Sequence, residues 1–233
     1  VVTGVQTCAL PIWLADQLAA SGKQVVLSSL ALLEAESELQ RLRRLCANGR
    51  FMIEANDIGA VQLLQGQAFI AGPSVNIYNE RGLALLAQRG LKRWVMPVEL
   101  SRDTLADMQE KRPAGVATEL FVHGRLPLSY SARCFTARAH NLPKDDCQYR
   151  CIDYPDGLTV STQEDSEFLT LNGVQVQSAC TYNLLGELPE IRRLGVDVLR
   201  ISPQMEHTKG ILELYQRCLM GTLEPTAGLA ELQ

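Results

Sequence analysis

Three cysteines in the middle of the chain form the pattern with the clearest chemistry. Cys134, Cys147 and Cys151 lie in a segment from Tyr130 to Gly157 that is rich in Arg, Asp, Lys and Pro and poor in aliphatic residues. Because a core would not bury thiols there, we expect them to hold a metal or to close a disulfide. An iron–sulfur cubane needs one more ligand, and His140 offers zinc a fourth. The spacing alone leaves zinc and an iron–sulfur cluster equally open.

The other cysteines do not form a second site. Cys46 and Cys218 lie in amphipathic helical patterns, and Cys180 follows an alternating strand, so we expect all three to be small packed apolar groups. The odd total of seven cysteines fits a reducing compartment better than a disulfide framework, which predicts a cytoplasmic protein.

The N-terminus predicts a non-native segment. Val2–Ile12 reads VTGVQTCALPI, the frame translation of a sequence that resembles a sequencing-library adapter. We therefore expect residues 1–12, with Cys8, to be a fusion scar, and residues 13–233 to be the truncated native domain. A genuine apolar strand ending at Pro11 is the alternative. If the scar is real, the missing native N-terminus is where a fourth cysteine ligand would lie.

Composition excludes several classes of protein. The chain has 233 residues, is 46% hydrophobic and carries a net charge of −4, so it is long enough for one barrel-sized domain with a full core. No basic stripe is dense enough to indicate nucleic-acid binding. No apolar run approaches the ~20 residues that a transmembrane helix needs.

Strand patterns alternate with helical patterns along most of the chain. We predict strands near residues 25, 52, 69, 95, 119, 176 and 199, with Asp57 and Ser101 as helix N-caps and Asn172-Gly173 as a hairpin turn. Short links favour parallel β/α units, so the predicted fold is a (β/α)8 TIM-like barrel that lacks its first strand. An iron–sulfur cysteine insertion at about residues 125–165 interrupts it. A doubly wound open sheet is the alternative.

Polar residues follow several of these strands, where β/α barrels place their reactive groups. They are Ser28, Ser29, Glu54, Asn56, Asn76, Glu99, His123, Arg200 and Ser202. Glu54 and Glu99 carry the most weight, because each follows a buried apolar run and would need a partner. We interpret His123 as a loop cap, although it would also serve as a ligand or a general base.

Familiar catalytic and nucleotide motifs are absent from the sequence. There is no G-x-S-x-G elbow, no H-E-x-x-H, no G-x-G-x-x-G after a strand and no P-loop. Cys134 would serve as a nucleophile beside His123 or His140, but nothing in the sequence places those side chains together. The residues therefore assign no catalytic group.

Two stretches around the cysteines resemble a known family. Glu119–Gly124 (ELFVHG) resembles the E-x-F-x-x-G opening of the collagenase-like U-type peptidase signature, without the cysteine that usually follows the glycine. The continuation through Arg125–Arg138 and Pro143–Cys151 is similar to the UbiV branch of that family, which acts in anaerobic ubiquinone biosynthesis. Four further motifs match this branch: Ser21–Ser28, Ile53–Asp57, Met96–Arg102 and Val198–Pro203.

This resemblance implies a β/α barrel with a [4Fe-4S] cluster on four cysteines. Three ligands carry over onto Cys134, Cys147 and Cys151, and the fourth belongs to an N-terminal segment missing here. It also implies a heterodimer with a UbiU-like sister subunit and a UbiT-like lipid-binding accessory protein that presents the ubiquinone precursor. Together they would hydroxylate the aromatic ring without dioxygen, with prephenate as the implied oxygen donor.

Three functions follow as hypotheses. The first is the redox subunit of an oxygen-independent hydroxylase, in which a cluster supplies electron-transfer steps. The second is a U-type peptidase whose cysteines are structural. The third is a non-catalytic partner that carries a cluster or zinc.

Overall fold

The computed structural model describes residues 12–232 and divides the chain into two compact units. The first unit contains residues up to Phe121 together with Pro189–Ile201, and the second contains Val122–Leu188 and the residues from Ser202 onward. Of the predicted N-terminal scar, only Ile12 is among the described residues. None of the helices in the described ranges is long and apolar enough to cross a membrane.

The first unit is built from alternating helices and strands. Its strands are β1 (Val26–Ser28), β2 (Met52–Ala55), β3 (Phe69–Ala71), β4 (Leu91–Val95), the start of β5 (Ala117–Tyr130) and β9 (Val198–Ile201). Its helices are α1 (Ile12–Ala20), α2 (Glu36–Cys46), α3 (Ile58–Leu63), α4 (Glu80–Ala87), α5 (Arg102–Glu110) and most of α7 (Leu188–Arg193), with a 3-10 turn at Pro73–Val75.

The strands of this unit confirm the predicted parallel pattern. Each of β1 to β4 pairs in parallel with the next strand, and β9 pairs with β5. Ile53 and Phe69 on one face join the hydrophobic core with Trp94, because successive side chains of a strand point to opposite faces. The opposite face of these strands carries polar side chains such as Glu54.

The second unit is antiparallel. The later part of β5 pairs with β8 (Gln175–Asn183), which pairs with β7 (Glu167–Asn172), which pairs with β6 (Leu158–Ser161). Its helices are α6 (Phe135–Ala139), α8 (Thr208–Leu219) and α9 (Pro225–Glu231), with 3-10 turns at Lys144–Asp146, Arg150–Asp153 and Leu185–Glu187.

The strand predicted near residue 176 was wrongly counted among the parallel strands of the barrel. It is β8, and it is antiparallel to both β5 and β7, so it does not belong to the parallel β/α series. Alternating exposure has the same period in parallel and antiparallel strands, so the sequence pattern did not distinguish them. The predicted hairpin exists, but its turn is at Gly173 and Val174 instead of Asn172-Gly173, because Asn172 ends β7 and pairs with Gln175.

Candidate functional site

The first unit holds a buried set of charged side chains on neighbouring strands, which we call the charge network: Glu54, Arg93, Glu119 and Arg200. Arg200 on β9 joins the two carboxylates. Its Nε donates to Glu119 Oε1 at 2.6 Å and its Nη1 to Glu54 Oε1 at 3.3 Å, and its Nη2 forms an ion pair with Glu54 Oε2. The side chains of Arg200, Glu54 and Glu119 are 13%, 6% and 1% exposed.

Arg93 on β4 completes the network. Its Nη1 donates to Glu119 Oε2 at 3.1 Å, and its Nη2 donates to Gln24 Oε1 at 3.2 Å. Two guanidinium groups therefore face two carboxylates, and their formal charges cancel. Such matching is required, because an unpaired charge in a buried position is strongly destabilising.

A polar edge surrounds the Glu54 carboxylate. The parallel register pairs Ser28 with Glu54, and the Ser28 hydroxyl donates to Glu54 Oε1 at 3.3 Å. The Asn56 amide nitrogen lies 3.2 Å from the same oxygen and 2.9 Å from Ser28 Oγ. The Asn56 backbone N–H donates to Ser29 Oγ at 2.9 Å. Asn56 thus fixes the position of the carboxylate.

The ion pair controls the protonation of Glu54. Burial alone would raise the pKa of Glu54, but the charge of Arg200 and hydrogen bonds from Arg200, Asn56 and Ser28 outweigh burial and lower that pKa. Burial alone would lower the pKa of Arg200, but the charges of Glu54 and Glu119, and hydrogen bonds to them, raise that pKa. A carboxylate with a lowered pKa is a poor general base, so the neighbouring Ser28 hydroxyl is not activated for nucleophilic attack.

Other strand-end residues have different partners. Glu99 is exposed instead of buried, because the chain turns at Pro97, and it accepts a hydrogen bond from Tyr78 Oη at 2.8 Å. This bond raises the pKa of Tyr78. Asn76 ends a 3-10 turn with a φ of 59°, and Ser202 donates its backbone N–H to the His123 carbonyl at 2.8 Å.

His123 is a buried residue of the second unit and does not cap a loop. It is 4% exposed on β5, and its ring meets Tyr215 edge to face with centroids 5.9 Å apart. Burial lowers the pKa of His123, and a hydrogen bond with Asn183 only partly opposes this. Its Nδ1 has no hydrogen-bond partner among residues 12–232.

The three cysteines of the polar segment are free thiols. Cys134 is the N-cap of α6 and its Sγ accepts from the Ala137 N–H at 3.4 Å. Cys147 is half-buried at the end of a 3-10 turn, and Cys151 is exposed in the next turn. Between them, Gln148 and Tyr149 both have a φ of 52°, a left-handed conformation that is uncommon for such residues.

These thiols have the right chemistry for iron or zinc. Within the described residues, however, no group of three or more His, Cys, Asp or Glu side chains is arranged to hold a metal ion. His140, the alternative zinc ligand, has its ring 5.6 Å from that of Tyr154. The donor set is present but not assembled among these residues, so the cluster stays a prediction.

The strand-end pattern identified Glu54 and Arg200, but it did not identify Glu119 and Arg93, which complete the charge network. Glu119 opens the family motif and Arg93 lies in the strand predicted near residue 95, so neither position carried a site prediction. The available signal was the charge itself, since Arg93 and Glu119 stand in apolar strands and a charged side chain buried there needs a partner.

Comparisons with known proteins support the resemblance found in the sequence at the level of the family. A sequence profile described as peptidase family U32 matches residues 14–226. The chain is 23% identical to the tRNA hydroxylation protein P1 of Bacillus subtilis (strain 168), in an alignment that covers 62% of this chain and 35% of that protein. The chain thus spans about a third of the length of that relative. No solved structure matches the chain at a significant level.

Proposed function

Because this chain belongs to peptidase family U32, we propose that it is a component of a hydroxylation system and not a peptidase. The observation that carries this proposal is its similarity to a protein named for tRNA hydroxylation across 62% of the chain. The charge network argues against a peptidase, because the paired Glu54 carboxylate does not activate the Ser28 hydroxyl beside it.

The cysteines also favour redox chemistry over proteolysis. The Cys134 thiol lies at the start of a helix where it accepts from a backbone N–H, and His123 is held against Tyr215. A thiol protease needs its cysteine within hydrogen-bond reach of a histidine. Free thiols on a polar segment suit metal ligation better.

The finer proposal is that this chain is the [4Fe-4S] subunit of an oxygen-independent hydroxylase. Cys134, Cys147 and Cys151 would hold the cluster with a fourth cysteine from outside this sequence, once the turns around Gln148 and Tyr149 bring the thiols together. A bound cluster supplies one-electron transfer. The surrounding fold would be a TIM-like barrel whose first strand lies outside this sequence.

The proposed substrate is the aromatic ring of a ubiquinone precursor. The support is the set of UbiV-like motifs, above all Pro143–Cys151 and Val198–Pro203. A UbiU-like sister subunit would complete a heterodimer, and a UbiT-like accessory protein would present the lipid. The name of the Bacillus subtilis relative favours tRNA as the second candidate substrate, but a net charge of −4 is unfavourable for binding a polyanion.

Anaerobic expression tests the metal and the substrate separately. We expect iron and sulfide with the visible absorbance of a cysteine-ligated cluster, more strongly when a UbiU-like partner is co-expressed. Replacing Cys134, Cys147 and Cys151 together by Ala should remove the iron, whereas Cys180→Ala with Cys218→Ala should retain it. Equal iron in both variants, or stoichiometric zinc, would end the cluster proposal.

The substrate is identified by mass spectrometry of products. In lysates that lack the enzyme, anaerobic addition of this chain and its partner should add one oxygen atom to the ubiquinone precursor and none to tRNA. Gain on tRNA alone would transfer the proposal to the second substrate, and release of peptides from a protein substrate would refute both.

A further inference from the structure

The sequence contains two Asn-Gly dipeptides, Asn48-Gly49 and Asn172-Gly173, and their surroundings in the structure differ. An asparagine followed by glycine is open to an intramolecular reaction, in which the glycine backbone nitrogen attacks the asparagine Cγ. Glycine has no side chain to shield that nitrogen, so the reaction depends on how freely the asparagine side chain turns toward it. The hydrogen bonds and the exposure of each asparagine therefore decide which dipeptide reacts.

The Asn48 side chain is held in place on both sides of its amide group. It is half-buried, and its Nδ2 donates to the Leu45 carbonyl at 2.8 Å and to the Phe51 carbonyl at 3.1 Å. Its Oδ1 accepts from the backbone N–H of Arg50 at 2.9 Å and from that of Phe51 at 2.7 Å. Because these bonds must break before Cγ can turn toward the Gly49 nitrogen, the first dipeptide is protected.

The Asn172 side chain is exposed and unrestrained. It stands at the end of β7 and makes no hydrogen bond with any other residue that the structure describes. Gly173 begins the two-residue turn to β8 with a φ of 62°, and the φ of Val174 is negative, as in a type II′ turn. A Cβ added to Gly173 would meet no described atom within 4 Å. The second dipeptide therefore has both the freedom and the space to react.

We propose that Asn172 is a site of spontaneous deamidation. The Gly173 nitrogen loses its proton and forms a bond to Asn172 Cγ, while the side-chain amino group takes up a proton and leaves as ammonia. Water then opens the succinimide ring. Cleavage between Cγ and the nitrogen gives aspartate, and cleavage between the Asn172 backbone carbonyl carbon and the nitrogen gives isoaspartate. One water enters and one ammonia leaves, so the reaction needs no oxidant, and it does not depend on the proposed cluster.

The turn that is modified also holds the start of α6. The Gly173 carbonyl accepts from the Phe135 N–H at 2.8 Å, and the Gly173 N–H donates to Thr136 Oγ1 at 3.2 Å. Isoaspartate adds one carbon to the main chain directly before Gly173, which displaces both of these bonds. Cys134 is the N-cap of the same helix, so its thiol should become more accessible. Deamidation of Asn172 thus acts as an age-dependent switch on the first thiol of the polar segment.

Peptide mapping by mass spectrometry of the metal-free 233-residue chain, incubated at physiological temperature, tests the site. We expect deamidation at Asn172, at a rate that rises from pH 6 to pH 8 because the attacking nitrogen must lose its proton. Asn48 should react at least about tenfold more slowly, since several of its hydrogen bonds must break first. Equal rates at the two asparagines, or no reaction at Asn172, would overturn the proposal.

A matched variant tests the switch. Asn172→Gln keeps an exposed amide but would need a larger ring to react, so it should remain unmodified. In the aged native chain, iodoacetamide should alkylate Cys134 about fivefold faster than in the fresh chain, as expected for the loss of one hydrogen bond. In aged Asn172→Gln the rate should equal that of the fresh chain. An unchanged Cys134 rate in an aged chain that contains isoaspartate would refute the switch.

Discussion

At the scale of single residues, Arg200 has a structural role. Three of its N–H donors are used by Glu54 and Glu119, and Arg93 balances the remaining negative charge. An arginine held in this way does not serve as an anchor for an anionic ligand. Its role is to keep two buried carboxylates ionised and in place.

Replacing Arg200 should therefore be severe. Arg200→Leu leaves Glu54 and Glu119 buried with too little positive charge, and we expect the free energy of unfolding to fall by about 3–5 kcal/mol. Urea denaturation at pH 7 measures this. The matched control is Arg193→Leu, which removes an exposed ion pair with Glu190 and should leave the midpoint nearly unchanged.

The same variant should reverse the contribution of Glu54 to the pH dependence of stability. In the native chain the pKa of Glu54 is lowered, so its contribution is present above the unfolded pKa of about 4.3 and is lost as the pH falls through the folded value. In Arg200→Leu, protonation relieves the unpaired charge, so the deficit should shrink between pH 7 and pH 4. A constant deficit would contradict the charge argument.

Gly72 supports the network through shape alone. A Cβ at this position would overlap the side-chain oxygen of Asn56, while its φ of −72° suits any residue. Gly72→Ala should displace Asn56 and cost about 1–3 kcal/mol, measured by urea denaturation. Gly210→Ala is the control: its added Cβ would meet no atom within 4 Å, and a helical Gly→Ala change should stabilise slightly.

At the scale of elements, helix caps were the most predictable feature. Asp57 accepts from the Gly59 N–H at 2.6 Å and Ser101 from the Thr104 N–H at 3.2 Å, which confirms both predicted N-caps. Caps depend on a side chain and a backbone N–H a few residues apart, so local sequence is sufficient to identify them.

The start of α2 offers an opportunity to add stability. Ala35 is its N-cap in an extended conformation and provides no side-chain acceptor. Glu38 already reaches back, with its Oε2 3.4 Å from the Ala35 N–H, so Ala35→Ser would complete a capping box. We expect a gain of about 0.5–1 kcal/mol in thermal or urea unfolding. Ala35→Val, which has no hydroxyl, should give none.

Strand orientation was harder to predict than strand position. All seven predicted strands exist, because apolar runs bounded by turn residues are local signals. Whether β8 pairs in parallel or antiparallel depends on the path of the connection from β5. The short helix and 3-10 turns between residues 135 and 153 have no regular spacing of apolar residues, so the sequence did not reveal that path. The pairing of Glu54 with Arg200 was hidden for a similar reason, because the two residues lie 146 positions apart in the sequence.

At the scale of the whole molecule, thiol reactivity should report global unfolding. Cys46 is 4% exposed, as predicted, and burial raises its pKa to about 11. Cys180 was predicted to pack, but it is exposed, as is Cys151. In the metal-free native chain at pH 8, iodoacetamide should alkylate the exposed pair first and Cys46 only after unfolding. Peptide mapping with and without urea measures this. Similar native rates for Cys46 and Cys151 would contradict the described core.

The length of chain between the members of the charge network has a consequence during synthesis. Glu119 leaves the ribosome 81 residues before Arg200, an interval of about 4–16 s at 5–20 residues per second. During that interval two carboxylates of the nascent chain lack the guanidinium that allows their burial. The first unit therefore cannot finish folding from its N-terminal end alone, and its completion is timed by the emergence of β9.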